Sequence, residues 1–292
     1  MYKYIPILLC ILLSNSYSFD AKEYLIKSQL SSEDLINLKN DAENNEKAAS
    51  LLGEFYRLGN KIKKDHTQAV KYYLKSKNFT AYIGLANIYW RGGNNVDVNL
   101  QLSEKYFIKA AELSAHGKYL YGIALENGLK EKPDYKTSYK LFLTGSSLHS
   151  GCSYRVGVAF NYGRGVEKNY STAAFYYQTA ITQNNHPDAQ FDLSNLKVFG
   201  KGIPKDLEGA YKLCESAALG GHERAQVQMI QYSIHNGKFS KAYFWYLVCN
   251  SHMVKDPTLR TYKSLVTTGL TNSDKQQIEQ AAFNFIKKNR FH

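Results

Sequence analysis

The feature that most constrains the fold of this sequence is a motif that recurs at intervals of 33 to 37 residues. Each copy opens with a small residue and usually places a second small residue, here called the anchor, five positions later. The six anchors are Gly53, Ala86, Gly122, Gly157, Ser194 and Ile230. A period of this length indicates a repeat protein, in which each unit buries its apolar face against its neighbours.

A second motif follows each copy of the first, and its spacing predicts a helix. A small residue precedes a pair of bulky residues by three and four positions, and another small residue follows, as in Ala69, Tyr72, Tyr73 and Ser76. Residues three and four apart lie on one face of a helix. Glycine-rich turns such as 163–166 separate the two motifs, and a glycine just past a helix end caps it. Each unit therefore predicts a helix, a turn and a second helix.

These residues resemble the Sel-1-like repeat, a tetratricopeptide-like family of α/α repeats. The copies that begin at Cys152 and Ala189 match its pattern best, and the resemblance covers about residues 48–255. The predicted fold is all-α, a right-handed α/α solenoid of about six helix-turn-helix repeats with capping helices at both ends. The predicted divisions are a signal peptide at 1–18, an N-terminal capping helix in 19–47, the six repeats at 48–255, and C-terminal capping helices in 256–292.

The first eighteen residues have the three-part pattern of a secretory signal peptide. Lys3 gives a short positive start, residues 5–13 are apolar apart from Pro6, and Ser16-Tyr17-Ser18 is a small-x-small cleavage site. The apolar stretch is too short to span a bilayer. We therefore expect cleavage near Ser18, export to the periplasm or beyond the cell, and no stable membrane anchor.

The chain is basic, with 37 Lys and Arg against 25 Asp and Glu and a formal net charge of +12. A basic surface can attract nucleic acid, membranes or acidic glycans. Here the basic residues are scattered and form no run of five or six, a pattern that favours a solvated surface over a polyanion site. We expect no nucleic-acid partner.

The cysteines and histidines that could carry chemistry occupy positions of the repeat pattern. Cys152, Cys214 and Cys249 replace core residues of other copies, which predicts buried thiols whose redox state stays open. A Cys214–Cys249 disulfide is disfavoured, because packed helices lie about 8–10 Å apart and a disulfide needs Cα atoms within about 7 Å.

Three histidines lie in register, each eight residues before its anchor: His149, His186 and His222. Equivalent positions of neighbouring repeats are roughly 10 Å apart, whereas zinc holds its nitrogens at about 2.1 Å. We therefore expect turn residues at the starts of the first helices, and no metal or cofactor.

Enzymatic activity is not expected. The sequence has no P-loop, zinc-protease or nucleophile-elbow motif. A cysteine-rich branch of the resembled family is linked with penicillin-binding or β-lactamase-like activity and carries paired cysteines. This chain departs from that branch, because Thr144 stands where the partner of Cys152 would be.

The function is expected to come from shape, since a solenoid presents a concave surface that its first helices should line. Positions one and four after the anchors are not needed for the core pattern and predict a mixed polar binding stripe. The predicted binding residues are Glu54, Arg57, Asn87, Trp90, Glu126, Asn161, Asn195 and Gln231.

The leading hypothesis is an exported, non-enzymatic scaffold of a Gram-negative-type bacterium that binds a protein or peptide partner on its concave face. One alternative is a protein that binds or hydrolyses cell-wall fragments or β-lactams. Another is an adaptor in the endoplasmic reticulum of a eukaryote, although residues 289–292 are not a retention signal.

Overall fold

A computed structural model describes residues 21–251 and 256–289. In this part of the chain there are sixteen α-helices and no strand, so the predicted all-α fold is confirmed. The signal peptide and cleavage site expected in residues 1–18 lie outside the described residues. The helices are α1 (Ala21–Ile26), α2 (Ser32–Asn44), α3 (Glu46–Leu58), α4 (His66–Tyr73), α5 (Phe79–Arg91), α6 (Leu100–Leu113), α7 (Ala115–Glu126), α8 (Tyr135–Gly145), α9 (Ser150–Tyr162), α10 (Tyr170–Asn184), α11 (Pro187–Phe199), α12 (Leu207–Leu219), α13 (Glu223–His235), α14 (Phe239–Ser251), α15 (Leu259–Thr267) and α16 (Asn272–Asn289).

The chain divides into two compact units between Ser138 and Tyr139, within α8. Consecutive helices pair in each unit, in the order that the repeat predicts. The first unit contains the pairs α3–α4 and α5–α6, and the second contains α9–α10, α11–α12 and α13–α14. One helix pair therefore corresponds to one copy of the sequence motif, and the third copy supplies α7 and α8.

Two of the anchors lie directly against a buried ring of the paired helix. A side-chain carbon added at Gly157 would lie 2.6 Å from the ring of Tyr177, and one added at Gly53 would lie 2.7 Å from the ring of Tyr73. A Cβ atom essentially never lies within 3.0 Å of another heavy atom. Each buried ring therefore requires glycine at the facing position of the paired helix. Both tyrosines are fully buried, which confirms the predicted core register in these repeats.

Aromatic stacking joins the first helix to the second in three repeats. In each case the residue three positions after the anchor stacks on the first residue of the bulky pair. The pairs are Tyr56–Tyr72, Tyr89–Tyr106 and Phe160–Tyr176, with ring centres 5.8, 6.0 and 6.1 Å apart and planes within 10° of parallel. Such pairs add about 0.5–1.5 kcal/mol each beyond the area they bury.

The turns between paired helices are closed by residues at fixed places. Gly163 and Gly200 end α9 and α11 in the left-handed conformation, with φ of 72° and 62°. Asn169 and Asp206 then cap the starts of α10 and α12, and the Asn169 side chain accepts a hydrogen bond from the Thr172 amide at 3.0 Å. These caps satisfy amides that the first turn of a helix leaves unpaired.

The last repeat uses a different aromatic residue from the one that its pattern predicts. Tyr246 aligns with the buried tyrosine of other copies, but Trp245 is the buried residue and Tyr246 is half-buried. The reason is the C-terminal helix α16, which packs on α14 and places Phe285 5.9 Å from the Trp245 ring. The predicted C-terminal capping helix is thus present, and the contact of its Phe285 with Trp245 explains why the tryptophan is the buried residue of this repeat.

Candidate binding surface

The three histidines in register lie at the N-termini of first helices, as predicted. His149, His186 and His222 precede α9, α11 and α13. The Nδ1 atom of His222 accepts a hydrogen bond from the Ala225 amide at 3.0 Å. Among the described residues there is no group of histidine, cysteine or acidic side chains that could hold a metal ion.

The three described cysteines are buried thiols in the core, as the repeat register predicts. Burial raises the pKa of Cys214 and of Cys249 to about 12. A thiol must be ionised to act as a nucleophile or a soft metal ligand. At neutral pH these two side chains therefore serve as packing groups.

The first predicted binding residue, Glu54, is buried, so its expected exposure is wrong. Only 7% of Glu54 is exposed. Arg57 donates from Nε to Glu54 Oε2 at 2.9 Å, its second guanidinium nitrogen forms a further ion pair with the same carboxylate, and the Tyr73 hydroxyl also bonds to it. These bonds form because Arg57 lies one helical turn after Glu54. They occupy both carboxylate oxygens, so little hydrogen-bonding capacity remains for a binding partner.

Two more predicted residues in the first unit make local contacts. The Asn87 side chain donates to the Ile83 carbonyl at 2.9 Å, within its own helix. Trp90 is half-buried, and its ring meets the edge of Phe107 at 6.0 Å while the Arg91 guanidinium lies 5.4 Å from it. Trp90 thus retains only a part of its surface for a partner.

The remaining predicted residues differ in their exposure to solvent. Glu126, Asn161 and Asn195 are half-buried, and Gln231 is exposed and donates to the Tyr262 hydroxyl at 2.9 Å. None of the eight predicted residues lines the polar cavity described next. The predicted stripe thus stays a prediction outside this cavity.

A polar cavity of about 490 Å³ opens in the second unit between α9, α11 and the start of α13. All three elements belong to first helices of successive repeats, so the cavity lies on the surface that these first helices form, here called the first-helix face. The polar and charged side chains that line it are Tyr154, Arg155, Tyr162, Arg164, Asp188, Asp192, His222, Glu223 and Arg224.

Asp192 is the most perturbed acid of this cavity. The Tyr154 hydroxyl donates to its Oδ2 atom at 3.2 Å. Burial raises the pKa of Asp192 to about 6, and the negative charge of nearby Asp188 adds to this effect. Within the described part of the chain no cation forms an ion pair with Asp192. At neutral pH the cavity therefore holds a poorly solvated carboxylate.

His222 presents its second nitrogen to the cavity. Its ring stacks on Phe191 with centres 4.3 Å apart, and its Nε2 atom lies 3.6 Å from Asp188 Oδ1. Burial lowers the pKa of His222, so the ring is neutral at neutral pH. Because Nδ1 accepts the Ala225 amide hydrogen, the proton resides on Nε2 and faces Asp188.

The cavity thus combines hydrogen-bond acceptors, donors and aromatic surface at one place. Binding sites typically join apolar walls to a few convergent polar groups. A perturbed acid in a cleft is also a physical indication of a functional site. These properties suit a polar segment of a partner inserted between neighbouring first helices.

The sequence model of the Sel1 repeat matches five segments of the chain, at 46–78, 80–114, 115–149, 151–185 and 187–222. Together the segments make up more than half of the chain. They correspond to the first five predicted copies. The sixth predicted copy, at Ala225, lies beyond the matched ranges, although the chain forms the helix pair α13–α14 there.

A curated relative, protein sel-1 homolog 2 of Mus musculus, is 36% identical over 64 residues, which are 22% of this chain and 9% of that protein. The match therefore spans about a tenth of the length of this relative.

The fold is similar to that of a Sel1 repeat protein from Oxalobacter formigenes, with a TM-score of 0.61, 23% identity, and coverage of 86% of this chain and 93% of that one. A protective antigen of uropathogenic Escherichia coli, described as displaying an SLR fold, aligns with a TM-score of 0.48 and 21% identity over 86% of this chain and 63% of that one.

Proposed function

Because Sel1 repeats make up more than half of its residues, the chain belongs to the Sel1-repeat family, and we propose that it is an exported, non-enzymatic scaffold that binds a protein or peptide partner. The fold supports a role in protein–protein interaction, and Sel1-repeat proteins are generally scaffolds without enzymatic activity. The signal-peptide pattern of residues 1–18 supports export. Among the described residues no helix is long and apolar enough to cross a membrane.

We place the partner on the first-helix face of the second unit, at the cavity beside Asp192. The observation that carries this proposal is the half-buried carboxylate of Asp192, whose raised pKa corresponds to a cost to folding. Natural proteins break the rules of stable packing mainly where function requires it. A partner that supplies hydrogen-bond donors to this carboxylate would recover part of that cost.

Site-specific photo-crosslinking tests the placement. A photoreactive phenylalanine analogue is introduced at Tyr162, which lines the cavity and is 57% exposed, or at Phe175, which lies on the second helix α10 and is 65% exposed. The mature chain is then incubated with periplasmic extract and with host-cell lysate. We expect a crosslinked partner from position 162 and not from position 175. Crosslinking from position 175 alone, or equally from both, contradicts the placement.

Cell fractionation followed by N-terminal sequencing tests export. The full chain is expected outside the cytoplasm with Phe19 as its first residue. A cytoplasmic chain that retains residues 1–18 contradicts the export proposal and leaves the binding proposal in place.

A further inference from the structure

Two successive turns of the second unit form one continuous surface, here called the turn edge. It consists of the turn 163–169 between α9 and α10 and the turn 200–206 between α11 and α12. A side-chain carbon at Gly202 would lie 2.3 Å from the Ser171 amide nitrogen, so the second turn packs directly against the start of α10. The turn edge adjoins the cavity in the chain, because Tyr162 lines the cavity and Gly163 begins the first turn.

Lysines and aromatic rings alternate on this edge. The Lys201 ammonium lies 5.3 Å from the ring centre of Phe199 and 5.7 Å from that of Tyr170. The Lys168 ammonium lies 5.8 Å from the same Tyr170 ring. Lys201 thus connects the aromatic residue that precedes its own turn to the aromatic residue that follows the other turn, and the edge is a single patch.

The positive charge of this patch is largely uncompensated. Lys168, Lys201 and Lys205 are exposed and make no ion pair with any described residue. The carboxylate of Asp206 is bonded to Lys197 at 2.8 Å and caps α12, so it does not neutralise them. Glu167 is the one other acidic residue in these two turns.

The patch also exposes apolar surface that a soluble protein usually covers. Phe199 is 67% exposed, and Leu207, just after the second turn, is also largely exposed. Large exposed apolar groups beside unpaired charges are typical of contact surfaces for other proteins. The combination indicates a ligand that carries negative charge together with apolar side chains.

We propose that the turn edge binds an acidic segment of the protein partner, in which Asp or Glu residues contact the lysines and an apolar side chain covers Phe199. The inference rests on the proposed function, since it names the chemistry of the partner. The two turns carry four basic residues, Arg164 and the three lysines, which are few for nucleic acid, because DNA-binding proteins commonly make about 6–10 phosphate contacts. For a membrane surface, where clusters of about 4–8 basic residues are usual, this number is at the lower limit.

Selection from a library of displayed random peptides on the immobilised mature chain tests the chemistry. We expect enrichment of peptides that combine several Asp or Glu residues with at least one aromatic or aliphatic residue. Enrichment without acidic bias, or no enrichment of any peptide, contradicts the inference.

Charge reversal locates the binding. The edge variant is Lys168→Glu with Lys201→Glu, and the matched control is Lys287→Glu with Lys288→Glu, two exposed lysines of α16. Both variants change the net charge equally. Fluorescence anisotropy of the selected peptide should show a loss of affinity of about tenfold or more for the edge variant and less than about twofold for the control. Equal losses would mean that only the overall charge matters and would overturn the proposal.

Two further probes separate the other anionic partners. Oligothymidylate and vesicles of phosphatidylcholine with phosphatidylglycerol are titrated into the same three proteins. Binding of either probe that is tighter than peptide binding and is lost in the edge variant would assign the edge to nucleic acid or to a membrane instead.

The failures of the two proposals are distinguishable. A partner that crosslinks at Tyr162 but binds the edge variant unchanged overturns the acidic-segment inference alone. Acidic peptides that bind the edge, with no protein crosslinked at Tyr162, overturn the cavity placement alone.

Discussion

The carboxylate of Asp192 should destabilise the folded chain at neutral pH, and Asp192→Asn should remove that cost. Burial raises the pKa of this group from 3.8 to about 6. Each pKa unit corresponds to about 1.4 kcal/mol, so the cost has an upper limit of about 3 kcal/mol. Since asparagine keeps an oxygen that can accept the Tyr154 hydroxyl, we expect Asp192→Asn to raise the free energy of unfolding by about 1–3 kcal/mol at pH 8.

The pH dependence gives the sign of the effect. Between about pH 4 and pH 6 the folded chain binds more protons at Asp192 than the unfolded chain, because the folded pKa is the higher one. The contribution of this group to stability therefore improves as the pH falls through that window. The cost is fully present above about pH 7 and is lost below about pH 4, so the advantage of the asparagine variant should fade in acid.

Urea unfolding followed by far-ultraviolet circular dichroism at several pH values measures the effect. Glu167→Gln is the matched control, because it removes an exposed carboxylate from the same unit, and its effect should stay within about 0.5 kcal/mol. A less stable Asp192→Asn variant at pH 8, or a gain that persists unchanged in acid, would refute the interpretation of Asp192 as a costly buried charge.

The other predictions concern the core and the predicted stripe. Gly157→Leu should lower the free energy of unfolding by about 1–3 kcal/mol or more, because it forces a side chain into the Tyr177 ring; an unchanged melting temperature would contradict the anchor assignment. Glu54→Ala should cost about 1–3 kcal/mol in urea unfolding, since it leaves the half-buried Arg57 and the buried Tyr73 hydroxyl without their shared partner, and a cost below about 0.5 kcal/mol would show that Glu54 is exposed in solution. Trp90→Ala should lower the melting temperature less than Tyr177→Ala does, since Trp90 is half-buried and Tyr177 fully buried; a larger drop for Trp90→Ala would place its ring in the core.

The helix pairs and their core contacts could be predicted from the sequence because they depend on local spacing. A small residue on one helix and a ring on the next, 20 residues later, produce the contacts Gly53–Tyr73 and Gly157–Tyr177. The last repeat departs from this rule because its neighbour is not another repeat. Trp245 becomes the buried residue through its contact with Phe285 of α16, which no repeat pattern encodes.

The binding surface could not be predicted in the same way, because it depends on differences between copies. The position two residues before the anchor is Leu51, Gly84 and Leu120 in the first three copies, and it becomes Arg155 and then Asp192 in the next two. The sequence signal for this surface was a charged residue at a position of the repeat that is uncharged in the other copies. The predicted exposure of Glu54 was wrong, because Arg57, one helical turn later, forms an ion pair with its carboxylate.

Hydroxyl-radical footprinting with and without the captured partner tests the central claim most directly, that the chain binds a protein through the first-helix face of its second unit. The oxidation of aromatic side chains is measured by mass spectrometry at Tyr162 and Phe191, which line the cavity, and at Phe175, which is on the opposite helix of a pair. We predict slower oxidation at the first two positions and no change at the third. Protection of Phe175 with unchanged oxidation at Tyr162 and Phe191 would contradict the claim.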